Sequence, residues 1–163
     1  MINIKKGTAH TLQQSDVVGI ADDANPVVAG MLVRKDDATG KILPGLSAAT
    51  GAGDLVGFAV TSNTDGDVIE SGKNGMIMLD GNSVVETDQF VGAIGSYAIG
   101  EALTGSVAGG SEGLVEAADG TDRVIGYVEG TRQLPSTLTT VDGNGRAITV
   151  QVLTDVLAIK LAV

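Results

Sequence analysis

The stretch Met31-Leu32-Val33-Arg34-Lys35-Asp36-Asp37-Ala38-Thr39-Gly40-Lys41-Ile42-Leu43 decides the fold, because it reads as strand, acidic turn, strand. Its apolar residues form two short runs without the 3.6-residue stripe of a helix. The residues between them are turn formers, since Asp side chains bond to the nearby backbone and Gly supplies positive φ. The same grammar continues in both directions. Strands are expected at 31–35, 41–43, 55–61, 75–79, 83–86, 101–104, 114–117, 123–129, 147–153 and 156–161. Turn signals such as Asp65-Gly66, Asn74-Gly75, Asp80-Gly81, Asp119-Gly120, Asp142-Gly143 and Asn144-Gly145 punctuate them. Residues 101–117 form a second hairpin around Gly105-Ser106-Val107-Ala108-Gly109-Gly110, and Leu134-Pro135-Ser136-Thr137-Leu138-Thr139-Thr140 reads as a polar loop between strands.

Composition narrows the architecture. Tryptophan is absent and the aromatics are Phe58, Phe90, Tyr97 and Tyr127, so a core must be built from Val, Ile, Leu, Ala and Met in thin layers. The 24 glycines among 163 residues show no collagen-like period, and frequent turns account for them. The expected fold class is all-β, with Gly-rich hairpins forming a barrel or sandwich. Without cysteine, no disulfide staples it, so packing or assembly must supply the stability.

A weak internal repeat of about seventy residues is visible, read either as a duplication or as the chance self-similarity of a Gly-rich β chain. Gly30-Met31-Leu32 is echoed by Gly100-Glu101-Ala102-Leu103, and Leu55-Val56-Gly57-Phe58-Ala59-Val60 by Val124-Ile125-Gly126-Tyr127-Val128-Glu129. Asn74-Gly75 before Met76-Ile77-Met78-Leu79 matches Asn144-Gly145 before Ala147-Ile148-Thr149-Val150. Two similar β units are expected, at 28–95 and 98–163, sharing one core or packing side by side. Residues 1–27 precede them as an extended arm, able to add to a neighbouring sheet edge. The candidate partner-binding residues lie there: Ile2, Ile4, Lys5, Lys6, His10, Leu12, Val17, Val18 and Ile20. A first strand followed by a loop is the plainer reading of the same segment.

Charge and inventory exclude several functions. With 20 acidic against 10 basic side chains the net charge is −10, which opposes binding to a phosphate backbone or an anionic membrane. No apolar run reaches the roughly 20 residues needed to span a bilayer. No secretory signal is read after Lys5-Lys6. Neither nucleic acid nor membrane is expected as a partner. An apolar fraction of 43% is high for such a chain and suggests surface covered by copies of itself or by a partner.

Catalytic chemistry is thinly provided. His10 is the single histidine, and Gly109-Gly110-Ser111-Glu112-Gly113 fits the G-x-S-x-G string without a following helix or a later histidine. Ser111 therefore reads as a hairpin residue. Gly51-Ala52-Gly53-Asp54 lacks the remaining parts of a nucleotide fingerprint and reads as a turn. Acidic residues at Asp22-Asp23, Asp36-Asp37, from Asp65 to Glu70 and from Asp119 to Asp122 match no EF-hand and read as solvated turn acids. Phe58 and Tyr127, equivalent in the repeat, read as core residues. No cofactor, metal or enzymatic activity is expected.

Gly30-Met31-Leu32-Val33 leading to Lys41-Ile42-Leu43-Pro44, then Leu55-Val56-Gly57-Phe58-Ala59-Val60, then Gly75-Met76-Ile77-Met78-Leu79-Asp80-Gly81 gives an order of hairpin, strand and closing strand. It returns from Gly100-Glu101-Ala102-Leu103 through Val124-Ile125-Gly126-Tyr127. This order resembles the decoration, or cement, proteins of tailed-bacteriophage capsids and related minor virion proteins. The resemblance implies a virion component, made in the host cytoplasm, that binds the capsid exterior as a trimer or dimer and bridges major capsid protein subunits. It brings no catalytic residues. Simpler decoration proteins have one β unit, which leaves a tail, baseplate or head-fibre component as the alternative. A glycan- or calcium-binding surface module is a further one.

Overall fold

The computed structural model describes residues 2–6, 19–21, 27–36, 41–46, 55–59, 68–69, 76–77 and 83–162. Its strands are β1 (Ile2–Lys6), β2 (Gly19–Ala21), β3 (Leu32–Lys35), β4 (Lys41–Pro44), β5 (Leu55–Ala59), β6 (Val68–Ile69), β7 (Met76–Ile77), β8 (Val84–Thr87), β9 (Ala102–Gly105), β10 (Val115–Ala117), β11 (Gly126–Val141) and β12 (Ala147–Leu161). A single 3₁₀ turn over Ile94–Ser96 is the only helical element among the described residues.

The fold is all-β and sandwich-like. One sheet runs β6-β2-β4-β3-β5-β7 and the other β1-β8-β12-β11-β9-β10. All pairings within them are antiparallel except β2 with β4. Among the described strands neither sheet closes on itself into a barrel. The order β4-β3-β5-β7 in the first sheet recurs as β10-β9-β11-β12 in the second, at the positions where the sequence echoes itself. The sheets do not follow the expected unit boundaries strand for strand, because β1 and β8 both belong to the second sheet.

Alternation along each strand builds the core. On β12, Leu157, Ile159 and Leu161 face inward, and on β8 Val85 and Thr87 do the same. They join Leu103, Val115, Ile125 and Val128 from their own sheet, and meet Leu32, Leu46 and Phe58 from the other half of the chain. Each such buried side chain contributes about 1.5–3 kcal/mol. The residues next along β3 and β5 point the other way, so Val33 and Ala59 join Val27 and Ile42 in a second cluster behind the first sheet. Phe58 is a core residue as expected, but Tyr127 is 44% exposed. It lies one residue before Val128, which faces the core, so alternation turns its ring outward.

The two halves are joined by a close backbone contact. The Leu32 amide donates to the Gly113 carbonyl at 2.8 Å, and the Leu32 carbonyl accepts from the Gly45 amide at 2.8 Å. Gly45 has φ +71°, and a Cβ there would stand 2.8 Å from the Gly113 nitrogen and 2.9 Å from the Ser106 oxygen. Only glycine tolerates both demands. Nearby, the buried Thr87 hydroxyl donates to the Gly30 carbonyl at 2.7 Å, a second tie between the sheets.

Tyr97 closes one end of the core. Its ring meets Phe90 edge-to-face at 5.8 Å, and its hydroxyl donates to the carbonyls of Val91 at 2.7 Å and Val115 at 3.2 Å. Burial pushes the phenol above its ordinary value of 10.0, and the charges of Glu116 and Glu101 reinforce this.

Two outcomes follow from this packing. Gly45→Ala is expected to lower stability by about 2 kcal/mol or more, read from the urea midpoint, while Gly109→Ala, with open space around it, should stay within about 0.5 kcal/mol. The neutral Tyr97 phenol stabilises the fold fully below the unfolded pKa of about 10, and that contribution is lost as pH rises through the raised folded value. Urea midpoints measured on both sides of this pH should fall on the alkaline side, and Tyr97→Phe should flatten the fall.

Candidate functional site: a projecting ribbon

The longest strands in the molecule pair with each other and outrun the sheet that holds them. β11 and β12 are in register from Gly126↔Leu161 to Val141↔Ala147. At the base, β8 pairs with β12 only over Leu157 to Lys160, and β9 pairs with β11 only at Gly126 and Tyr127. Beyond that point the two strands continue as a ribbon. From Gln133↔Asp155 to its tip it reaches about 25–30 Å at the usual rise of a strand.

The tip explains why the chain turns here. Asp142 and Arg146 close the hairpin through the Asp142 amide and the Arg146 carbonyl at 2.8 Å. The Asp142 carboxylate accepts from the amides of Asn144 and Arg146 at 2.8 and 2.9 Å, and Gly145 takes φ +76°. This is the Asx-plus-glycine chemistry of a tight hairpin.

The closing pair also fixes which backbone groups face inward. Antiparallel pairs alternate between hydrogen-bonded and non-bonded. Counting from Asp142/Arg146, the pairs Leu138/Val150 and Ser136/Val152 bond across the ribbon, whereas Thr137/Gln151 and Pro135/Leu153 turn their backbone groups outward. Pro135 thus occupies a position where a missing N–H removes no ladder bond.

The segment 134–140 is therefore part of β11, and its expectation as a polar loop is corrected. Threonine is a good strand former, and here Leu134 and Leu138 share one face while Thr137 and Thr139 take the other. Likewise 147–153 and 156–161 are one strand, because Thr154 and Asp155 stay in register. The Thr154 hydroxyl meets that of Ser136 at 2.7 Å, and the Asp155 carboxylate accepts from the Gln133 amide nitrogen at 2.8 Å.

The two faces of the ribbon differ. One carries Leu134, Leu138, Ile148, Val150 and Val152, with Leu138 54% exposed. The other is mainly polar, with Gln133, Thr137, Thr139, Thr149, Gln151 and Asp155, interrupted by Leu153 and Val141. No charged side chain occurs on either strand from 133 to 141 or from 147 to 154, and Asp142 and Arg146 at the tip balance each other. The net charge of −10 therefore resides in the rest of the chain.

Two features anchor the base. The register shift between Val128 and Gly130 leaves Glu129 as an extra residue, a bulge that bends the strand and increases its twist. Just beyond it, Arg132 meets the Glu86 carboxylate at 2.5 Å. Glu86 is 3% exposed on β8, so the guanidinium reaches across β12 to neutralise a buried charge.

Among the described residues, those expected to bind a partner do not gather at this site. Ile2, Ile4, Lys5 and Lys6 lie in β1, whose backbone pairs with β8 in the chain's own sheet, and Ile20 lies in β2 between β4 and β6. His10, Leu12, Val17 and Val18 lie outside the described residues. Ser111 occupies the β9–β10 turn, where its amide donates to the Ala108 carbonyl at 2.9 Å. No group of three or more His, Asp or Glu side chains among the described residues is arranged to hold a metal ion. No protein family, curated protein or solved structure was found to match the chain.

Arg132→Ala should destabilise the protein by about 1–3 kcal/mol, since it removes a charged partner from a buried carboxylate. Replacing both Glu86 and Arg132 with leucine should recover most of that loss in the same thermal or urea unfolding measurement.

Proposed function

We propose that this chain is a structural virion protein that binds the outside of a bacteriophage capsid and stabilises it by bridging major capsid protein subunits. The observation that carries the reading is the ribbon. A two-stranded element that leaves its sheet, exposes an apolar stripe and carries no net charge from Gln133 to Thr154 is suited to lying in a groove on another protein. Contiguous exposed apolar faces mark interaction sites in soluble proteins.

The rest of the molecule fits the same role. The acidic body disfavours contact with packaged DNA and keeps individual copies soluble. The Arg132–Glu86 pair and the shared core hold the ribbon to a firm base, so a force on the tip is passed to the body. A modest contact at each copy becomes effective when many copies occupy one shell. In this reading the chain is not an enzyme, and its gripping element is the β11–β12 ribbon.

Pelleting the purified protein with expanded capsids of its own phage tests the proposal. Saturable binding at a fixed copy number per shell is expected. Leu138→Asp and Val150→Asp should each weaken it by about tenfold or more. Absence of wild-type binding overturns the capsid reading, and pelleting with tails instead of shells would replace it with a tail or baseplate role.

A further inference from the structure

The outer edge of β12 is a continuation of a bonded ladder. At the base, the odd-numbered residues of this strand bond toward β8, as the Leu161 amide does to the Ser83 carbonyl at 3.0 Å. The β8 partner ends at the Thr87↔Leu157 pair, but β12 does not. The backbone N–H and C=O groups of Ala147, Thr149, Gln151, Leu153 and Asp155 point the same way, with no strand beside them among the described residues.

This edge also lacks the devices that protect exposed edges. Ile148-Thr149-Val150-Gln151-Val152-Leu153-Thr154 has no charge and no proline. It is rich in β-branched and apolar residues, the composition that favours strand pairing. The β11 edge differs, because Pro135 and Arg132 interrupt it. One edge of the ribbon is guarded and the other is open.

We propose that the open edge of β12 pairs with the same edge of a second copy of this chain, antiparallel about a twofold axis through Gln151. Charge does not oppose an identical partner at this place. Two chains of net charge −10 repel, but the strands would meet over a segment whose one charged side chain, Asp155 at its end, lies opposite the second copy's Ala147, with the bodies held apart by the length of the ribbons. Register is set by the outward groups. Centring on Gln151 places Thr149 opposite the second copy's Leu153, and Ala147 opposite its Asp155, so every outward backbone group in this stretch gains a partner. Val150 then faces the second copy's Val152 in a close non-bonded pair, a favourable β-branched contact. The joined ribbons form a four-stranded sheet in which the apolar stripes of both copies make one continuous face. This inference is independent of the capsid reading, because it concerns the isolated chain.

Sedimentation velocity on the purified full-length protein over a concentration series, with no capsid present, tests it. The wild type is expected to dimerise. Gln151→Lys and Gln151→Glu each set like charges opposite one another at the axis and should raise the dissociation constant about tenfold or more; an equimolar mixture of the two variants should dimerise again. Gln151→Pro should also give monomer with an unchanged circular dichroism spectrum, since its amide faces away from β11 as that of Pro135 faces away from β12. The chain has no cysteine, so Gln151→Cys should form a single disulfide between copies, at the Cα spacing of about 5.5 Å typical of such pairs. A wild type that stays monomeric overturns the proposal. So does a dimer that the charge variants leave intact, or a mixture that fails to recover.

Discussion

The structure depends on one backbone contact, in which the amide and carbonyl of Leu32 are bonded to Gly113 and Gly45 from either side. A strand near the start of the first sheet is thereby tied to the β9–β10 turn of the second. The approach is possible because Gly45 and Gly113 have no side chains to hold the backbones apart. With the backbones this close, the Leu32 and Phe58 side chains reach the row formed by Val85, Leu103, Leu157 and Ile159. In a chain with few aromatics, small aliphatic residues fill a core only if the layers are thin. The glycine contact is what makes them thin.

That thin, shared core sets where the functional element emerges. Within the sheet, β12 is flanked on both sides, and its odd-numbered side chains are buried. Once β8 and β9 end, nothing flanks the pair, and burial gives way to exposure within a few residues. A bulge at Glu129 and the Arg132–Glu86 pair sit at this boundary. An isolated hairpin is marginal in water. Here the base of the ribbon is part of a packed sheet, and its tip is closed by the hydrogen bonds of Asp142.

The recurring order β4-β3-β5-β7 and β10-β9-β11-β12 gives the ribbon a place in the architecture. It occupies the position of the β5–β7 pair in the first sheet, where the described pairing covers only Phe58↔Ile77 and Ala59↔Met76. The second sheet carries a much longer version of the same hairpin. A difference in hairpin length, on a repeated strand order, separates the part of the chain that builds the core from the part that reaches outward.

The all-β class, the hairpins at 31–43 and 101–117 and most of the strands were legible in the sequence, because period-two burial and Asx-Gly turns act over a few residues. So was the acidity. The ribbon was not. Leu134 to Thr140 reads as polar when each residue is judged alone, and Thr154-Asp155 reads as a break. Only register shows that Ser136 lies against Thr154 and Gln133 against Asp155. The outward turn of Tyr127 and the placement of residues 2–6 beside β8 were likewise decided by tertiary structure. Local turn chemistry and side-chain alternation specify strands. Which edges are covered, and which apolar face is left in solvent, depends on partners distant in sequence, and those contacts exist only once the two sheets have met at Leu32.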